Sequence, residues 1–338
     1  MVLKLISDSV ILNIKRYFCG VWEIDRTYYD GFETTFQRLI EKKQVLDKGR
    51  PLPQSALHKI KEALTIEWTY NSNSIEGNTL SLRETQMVIQ EGITIKGKSL
   101  REHFEVKNHE VAIDYLYSII HENYQLQSRD ILNLHGYVLR SIEEEFAGRL
   151  RNGGVRISGA NFIPPNAQKV PDLIDELIAF VLNNPLGLNT IELATVFHHK
   201  FVWIHPFFDG NGRTVRLAMN LILMQAGFPP AIILKNDRKK YYEALNQANN
   251  GNYQKLLLLM CQAVERSLNI YLNALPGQES YESIATIVSE PGVSYGQEYV
   301  SLLARQGKID AYKEGRNWFT TRKAIEDYIE NRQRKRQL

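Results

Sequence analysis

Residues 205–216, with the sequence HPFFDGNGRTVR, combine a backbone and side chains suited to phosphate chemistry. An apolar stretch with helical spacing ends just before this segment, a Gly-Asn-Gly turn follows, and a new helix is expected from about Arg213. The glycines permit positive φ angles and let a ligand approach the backbone closely. The unpaired N–H groups at a helix start favour an anion. The segment therefore predicts an anion-binding turn.

Four side chains of the same segment add chemistry to this turn. Arg213 and Arg216 are three residues apart, so they share one face of the new helix and can form paired hydrogen bonds to phosphates. Asp209 supplies a carboxylate beside the anion site, where Mg²⁺ is commonly held. His205 can carry a proton near neutral pH. Together these residues indicate phosphoryl or nucleotidyl transfer.

Two other interpretations of these residues are open. The segment could be a tight connection between two helices, with Asp209 as a cap and both arginines solvated. His198, His199 and His205 could suggest zinc, but the chain has no HExxH motif or comparable ligand spacing. Packing or hydrogen bonding is the better interpretation of His198 and His199.

The segment resembles the signature HxFx(D/E)GNGRxxR of the Fic family. All eight fixed positions match, namely His205, Phe207, Asp209, Gly210, Asn211, Gly212, Arg213 and Arg216. The resemblance covers roughly residues 100–275. It implies a protein adenylyltransferase that moves AMP from ATP to a Ser, Thr or Tyr hydroxyl of a target protein, releases pyrophosphate and also modifies itself.

The resemblance assigns roles to the matched residues. His205 would be the general base, Asp209 would hold Mg²⁺, Arg213 and Arg216 would contact the β- and γ-phosphates, and Phe207 would anchor the core. The expected catalytic residues are thus His205, Asp209, Arg213 and Arg216. The expected nucleotide-binding residues are Asp209, Gly210, Asn211, Gly212, Arg213, Thr214, Val215 and Arg216 in the loop, Ser158, Gly159, Ala160, Asn161 and Phe162 in a flap over the site, and Tyr241 and Asn249 near the adenosine.

A second segment, SNSIEG at residues 72–77, is by itself typical of a short capped helix or a polar loop. Beside the first motif it resembles the inhibitory (S/T)xxxE(G/N) element of Fic proteins whose inhibitory helix is N-terminal. Ser72, Glu76 and Gly77 fill its fixed positions. The resemblance implies an ion pair between Glu76 and Arg216 where the γ-phosphate would sit. Because in-line displacement tolerates little misplacement, this pair would hold transfer off.

The elements that must position these segments are mainly helices. Apolar spacing, caps and prolines predict helices at residues 53–64, after an N-cap at Ser128, from Pro171, from Asn189 or Thr190, and at residues 213–226, 237–249 and 253–274. Glycines and prolines predict a short hairpin or flap in residues 152–165. The expected fold is mainly α: a Fic-type helical bundle with a small β-hairpin flap, followed by a C-terminal winged-helix domain. The expected domains are residues 1–100 with the inhibitory motif, 101–275 as the catalytic core, and 280–338.

The C-terminal segment is basic, since residues 305–338 contain ten Lys or Arg and five Asp or Glu. Short helices at 283–289 and 296–306, a strand at 316–321 and a final charged helix resemble a winged helix or an excisionase-type helix-turn-helix. The charge favours DNA, but such modules also dock onto proteins. Both partners therefore stay open.

Composition sets the outer limits. The chain has 338 residues, of which 43% are hydrophobic and 23% charged, which is typical of a folded protein of two or three domains. Cys19 and Cys261 are too few for a disulfide framework, so a reducing, cytoplasmic location is expected. No apolar run approaches a membrane span and no clean signal peptide is present; the first 20 residues are expected to pack on the body.

Several functional alternatives remain open at this point. The same fold could remove AMP, with Glu76 orienting a water, or could transfer phosphate. A DNA-binding regulator could use the core only as a nucleotide sensor, although a sensor would not need His205. The family resemblance further suggests a homo-oligomer.

Overall fold

The computed structural model describes residues 31–121, 124–157, 159–160, 162–275 and 281–337, with side chains up to Arg332 in the last helix. Within these residues the chain is mainly helical, as predicted, and carries one three-stranded sheet. The helices are α1 (Glu33–Lys48), α2 (Gln54–Ile75), α3 (Leu82–Gln90), α4 (Leu100–Ile119), α5 (Ser128–Leu139), α6 (Val170–Asn183), α7 (Thr190–Ile204), α8 (Asn211–Gln225), α9 (Arg238–Ala248), α10 (Gln254–Leu272), α11 (Ile284–Val288), α12 (Gln297–Arg305) and α13 (Arg322–Gln337). The element predicted for the first 20 residues lies outside the described residues.

Helices α7 and α8 pack against each other at the centre of the bundle, and the loop between them carries the predicted site. Almost all of their residues are buried, which is expected for helices enclosed on all sides. Asn189 starts α7 as its N-cap, since its side chain accepts hydrogen bonds from the N–H groups of Ile191 and Glu192. The predicted start of α7 is therefore confirmed, and α8 begins at Asn211, two residues earlier than predicted.

Helix α2 extends eleven residues beyond its predicted end, to Ile75. Its last turns bury a polar run that apolar spacing could not reveal. These side chains are tolerated because neighbouring segments pair with them: Asn73 donates to the Glu105 carbonyl at 3.2 Å, and Asn71 accepts from the Lys235 N–H at 2.8 Å. The segment 72–77 is thus the end of a long helix, with Glu76 as its C-cap, and not a short helix or a loop.

Ser128 was predicted as the N-cap of α5, but it is the first residue of the helix. Gln127 precedes the helix as its cap and exchanges hydrogen bonds with Asp130. The difference is one residue and does not move the apolar face.

The segment at residues 152–165 forms no strand in its described part, which lacks Ser158 and Asn161. The predicted β-hairpin is therefore wrong for the described residues of the flap. A strand needs a hydrogen-bonded neighbour, and the carbonyls of Gly153 and Pro165 are instead bound by the guanidinium of Arg151.

The sheet lies in the C-terminal module, defined here as residues 281–332. Strands β1 (Glu282–Ser283), β2 (Ala311–Glu314) and β3 (Asn317–Thr320) pair antiparallel in the order β1-β3-β2. Helices α11 and α12 and the start of α13 close a small separate apolar core over this sheet. The two predicted short helices, the strand and the charged helix are all present, and β1 and β2 are additional strands. The winged-helix assignment stays a prediction.

The C-terminal module is docked on the bundle through a buried network of charges. Lys42 on α1 donates to Glu265 on α10 at 3.0 Å and also binds Asp310 of the module. Arg38 binds Glu265 at 2.6 Å and donates to the Gly307 carbonyl at 3.1 Å. Two cations and two carboxylates therefore balance at this junction.

The N-terminal helices share one apolar core with the helices after residue 100. Leu39, Leu64 and Trp68 belong to the same cluster as Phe201 and Phe207. The domain boundary expected at residue 100 therefore does not separate two apolar cores. The expected boundary between the domains 101–275 and 280–338 falls at residues 276–280, which lie outside the described residues.

Candidate active site

The loop between α7 and α8 turns through two left-handed residues. His205 has a φ of 50° and ends α7, and its N–H donates to the Phe201 carbonyl at 2.9 Å. Gly210 has a φ of 74° and precedes α8. A side chain on Gly210 would also meet the ring of His135 at 3.2 Å, so both geometry and space require glycine there. The turn leaves the first N–H groups of α8 without intrahelical partners.

Asn211 and Phe207 brace this turn from inside. The Asn211 amide accepts from the Phe207 N–H at 3.0 Å and donates to the Phe207 carbonyl at 2.8 Å. The buried ring of Phe207 stacks on His135 at 3.6 Å, which supports its predicted role as a core anchor.

His135 is a supporting residue that the sequence did not reveal. Its Nδ1 accepts from the Gly148 N–H at 3.0 Å, so its Nε2 donates to the Asp209 carbonyl at 3.0 Å. Burial lowers the pKa of His135 to about 4, in agreement with a neutral ring that donates through one nitrogen and accepts through the other. The ring thereby fixes the backbone of the loop.

His205 is a neutral imidazole at the mouth of the site. Burial lowers its pKa to about 4, and the Val202 carbonyl only partly opposes this shift. The ring can therefore accept a proton at neutral pH, as a general base must.

Arg151 clamps the loop to the flap, and nothing in its sequence context indicated this. Its guanidinium donates to the carbonyls of His205 at 2.7 Å, Gly153 at 2.9 Å and Pro165 at 2.6 Å. The residue is 2% exposed. Only the folded chain brings these carbonyls within reach of one side chain.

Asp209 faces solvent beside the start of α8. Its Oδ1 accepts from the Gly210 N–H at 2.6 Å, and its Oδ2 binds Arg101 on α4 at 2.6 Å. The side chain is 40% exposed. Arg101 is a second residue that the sequence did not reveal.

Asp209 suits Mg²⁺ on chemical grounds. It is a hard oxygen ligand beside the glycine turn, and Mg²⁺ is usually held by one or two carboxylates together with substrate phosphates. Within the described part of the chain, no group of three or more His, Cys, Asp or Glu residues could hold a metal alone. The phosphates would therefore complete the coordination.

Arg213 is buried and directed towards α4. Its Nη1 lies 3.2 Å from the Glu105 carboxylate, and its Nη2 lies 3.7 Å from Asp209. Glu105 thus holds one of the two loop arginines.

Arg216 binds the end of α2. Its guanidinium donates to the Glu76 carboxylate at 2.8 Å, to the Ser72 hydroxyl at 3.0 Å and to the Ser72 carbonyl at 2.8 Å. Burial alone would lower the pKa of Arg216, but the Glu76 carboxylate together with Tyr241 and Tyr242 outweighs burial and raises it.

The Glu76 carboxylate also lies against the first turn of α8. A Cβ placed on Gly212 would be 2.1 Å from the Glu76 Oε1, so the carboxylate fills the space directly over this glycine. Gly77, next to Glu76, has a φ of 107°, which a glycine adopts without strain. The predicted contact between segments 72–77 and 205–216 is therefore present.

Thr214 and Val215 do not offer groups to the turn. Both side chains are fully buried, and the Thr214 N–H is bonded to the Gly210 carbonyl at 2.9 Å. The backbone donors that remain are those of Asn211, Gly212 and Arg213. The two nucleotide contacts expected of Thr214 and Val215 stay predictions.

The flap is described only in part, because Ser158 and Asn161 lie outside the described residues. Phe162 stacks on Trp203 of α7 with ring centroids 6.4 Å apart. Gly159 accepts from Asn246 on α9 at 3.5 Å, and Ala160 closes a turn on the Ile157 carbonyl. The flap therefore rests on α7 and α9.

Tyr241 and Asn249 form hydrogen bonds with the two histidines of α7. The hydroxyl of Tyr241, which is 1% exposed, lies 2.7 Å from His198 Nε2, and Asn249 Oδ1 lies 2.8 Å from His199 Nε2. The interpretation of His198 and His199 as hydrogen-bonding residues is confirmed. Tyr241 points into the core in this structure, so the adenosine contact expected of its side chain finds no support, and that of Asn249 stays a prediction.

The fold and the site together define a helical protein with a glycine turn between two buried central helices. A model of the Fic/DOC family matches residues 125–223. The chain is 38% identical to the protein adenylyltransferase Fic of Nematostella vectensis over 79% of this chain and 61% of that protein, and 34% identical to that of Aedes aegypti over 70% and 47%. The solved structure of Fic-1 (residues 134–508) from C. elegans has a TM-score of 0.64 and 32% identity, and covers 72% of this chain and 71% of that one. The chain belongs to the Fic/DOC family.

The chain covers only part of the length of each of these relatives. The chain spans about three fifths of the Nematostella protein and about half of the Aedes protein. None of the helices in the described residues is long and apolar enough to cross a membrane.

Proposed function

We propose that this protein is an auto-inhibited protein adenylyltransferase that transfers AMP from ATP to a Ser, Thr or Tyr hydroxyl of a target protein. The observation that carries the proposal is the Glu76 carboxylate, which lies over Gly212 and on Arg216. Anionic oxygens are therefore accommodated at the point where a helix start and a buried arginine favour a phosphate. His205 stands at the other end of the same turn as a neutral base.

The proposed reaction uses groups that the loop brings together. His205 takes the proton of the target hydroxyl as the hydroxyl oxygen attacks the α-phosphorus of ATP. The bond from the α-phosphorus to the bridging oxygen breaks, and pyrophosphate leaves with the electron pair. The N–H groups of Asn211 and Gly212, with Arg213 and Arg216, stabilise the charge on the phosphate oxygens. Mg²⁺ held by Asp209 would neutralise phosphate charge and orient the leaving group.

Two ion pairs support an inhibited resting state. Glu76 binds the guanidinium of Arg216 that we assign to the γ-phosphate, so a productive ATP must displace this carboxylate. Arg101 binds the carboxylate of Asp209, so Mg²⁺ must displace this arginine. Both pairs combine a loop residue with a residue on another helix.

The test is intact-mass analysis of the full chain after incubation with ATP, Mg²⁺ and a cell extract as target source. We expect AMP adducts with the Glu76→Gly protein and fewer with the wild type. His205→Ala should abolish the adducts and retain nucleotide binding. His58→Ala, which changes an exposed histidine on α2, is the matched control and should transfer normally. AMP transfer by the His205→Ala protein would exclude the base role.

Removal of AMP from a modified target is the second candidate function. Its support is that the Glu76 carboxylate lies over Gly212, in the same loop that begins at His205. In the same assay, loss of AMP from a modified target with Glu76 intact would favour removal. A phosphate adduct would favour phosphoryl transfer, and no adduct with any variant would favour the nucleotide-sensor alternative.

The wider setting of the enzyme is also part of the proposal. Basic charge supports DNA as a partner of the C-terminal module, and docking onto a protein is the alternative. Salt-dependent binding of the full chain to duplex DNA distinguishes them. The homo-oligomer and the cytoplasmic, reducing location stay predictions; the buried free thiol of Cys261 agrees with the latter.

A further inference from the structure

A cavity of about 320 Å³ lies between the helical bundle and the C-terminal module. The bundle contributes residues from the segment before α9, from α9 and from α10, and the module contributes Arg305, Lys313 and Trp318. The volume falls at the small end of ligand-binding pockets. The described residues that line it include none from the loop at 205–216, so the cavity is separate from the proposed active site.

Arg266 on α10 lines the cavity with an incomplete set of hydrogen bonds. Its Nε donates to the Lys313 carbonyl at 3.0 Å, and its Nη2 donates to Glu67 at 2.7 Å. Its Nη1 is buried and has no hydrogen-bond partner, and the residue is only 7% exposed. Because this guanidinium is buried and one of its donors has no partner, its positive charge favours a negative group in the cavity.

The charge of the lining also favours an anion. Five cationic residues line the cavity against two carboxylates, Asp237 and Glu243. Asp237 is already shared by Lys313 at 2.8 Å and Lys240 at 3.2 Å. In the described part of the chain, neither Lys255 nor Arg305 forms an ion pair, so both keep charge for a ligand. The five cations are Lys240, Lys255, Arg266, Arg305 and Lys313.

The remaining walls are apolar. Ile233, Leu258 and Leu259 come from the bundle, and the half-buried ring of Trp318 faces them from the module. A ligand that fills the cavity must therefore bury an apolar body as well as place a negative group near Arg266. An inorganic anion would satisfy only the second requirement.

We propose that this cavity binds a small organic anion, a carboxylate or phosphate monoester carried on an aromatic or branched apolar body. The negative group pairs with Arg266 and with Lys255 or Arg305, and the apolar body packs between Leu259 and Trp318. The cavity does not take part in AMP transfer, so a test of this proposal and a test of the proposed function have independent outcomes.

The tryptophans allow a local test on the full chain. Trp318 lines the cavity and Trp203 lies under the flap, so ¹⁹F spectra of protein labelled with 5-fluorotryptophan report on both places. The probes are benzoate and phenyl phosphate, with neutral benzyl alcohol and cationic benzylamine for comparison. We expect a saturable shift of the Trp318 signal, assigned with Trp318→Phe, at concentrations at least tenfold lower for the anions. Benzoate should leave the Trp203 signal unmoved.

Charge variants test the assigned groups. Arg305→Gln and Lys255→Gln change exposed side chains and should each weaken benzoate binding threefold or more. Arg266→Gln should weaken it further, but it also removes the bond to Glu67, so the two exposed variants decide the outcome. Lys239→Gln makes the same charge change on an exposed residue of α9 outside the lining and should have no effect. Equal binding of benzoate and benzyl alcohol, no saturable Trp318 shift, or equal losses in Arg305→Gln and Lys239→Gln would each overturn the proposal.

Discussion

Replacement of Glu76 by glycine should relieve the proposed inhibition of AMP transfer. The size of this effect can be estimated from the contacts of the Glu76 carboxylate. Glu76 makes a charge-assisted hydrogen bond of 2.8 Å to Arg216 and occupies the space over Gly212. A productive γ-phosphate would need the same guanidinium. Because Glu76 is the C-cap of α2 and not an interior residue, glycine at this position should leave the helix intact.

The magnitude follows from the energy of such a bond. A hydrogen bond to a charged group contributes about 1.5–3 kcal/mol, and each 1.4 kcal/mol is tenfold in an equilibrium constant. The Glu76 side chain is 32% exposed, so solvent weakens the bond towards the lower end of this range. We therefore expect AMP transfer to rise by roughly 10-fold to 30-fold in the Glu76→Gly protein. Glu76→Gln, which keeps the shape and loses the charge, should give a smaller rise.

The assay is incorporation of AMP from ATP labelled at the α-phosphate, at ATP concentrations below saturation. Glu91→Gly is the matched control, because Glu91 is the exposed C-cap of α3 and has no contact with the loop among its described bonds. Equal or lower incorporation by a folded Glu76→Gly protein, or an equal rise in Glu91→Gly, would refute the inhibition.

Three further predictions follow from the same geometry. Arg101→Gln removes an exposed ion pair to Asp209 worth about 0.2–1 kcal/mol, so the Mg²⁺ concentration for half-maximal transfer should fall by up to about fivefold; an unchanged Mg²⁺ titration would contradict this. A general base acts when deprotonated, and burial lowers the pKa of His205 to about 4, so kcat/KM should show no loss near pH 6.5. A half-maximum of kcat/KM near pH 6.5 would refute His205 as the base. Burial also lowers the pKa values of His198 and His199 to about 3. Below pH 6.5 the unfolded chain therefore binds more protons than the folded chain, and the free energy of unfolding should fall by about 1.4 kcal/mol per pH unit for each histidine. Equal urea midpoints at pH 7 and 5.5 would count against this prediction.

Local sequence was a good guide to the start of α7, which is held by neighbours along the chain. Asn189 caps α7 through residues two and three positions later, so its role could be predicted. Local patterns failed where distant partners decide. Apolar spacing missed the polar end of α2, whose side chains are buried only because Glu105 and Lys235 pair with them. The same limitation led to a predicted hairpin in the flap, which Arg151 holds instead.

The sequence by itself determined the chemistry of the loop at 205–216, because the glycine turn, the helix start and the spacing of Arg213 and Arg216 are local properties of twelve consecutive residues. The family resemblance added the contact between Glu76 and Arg216. Tertiary structure alone decided which residues hold the site in place. Arg101, His135 and Arg151 reach the loop from 54 to 108 residues away. No periodicity specifies such contacts, since they depend on how α4, α5 and the flap pack around α7 and α8, and packing is a property of the whole folded chain.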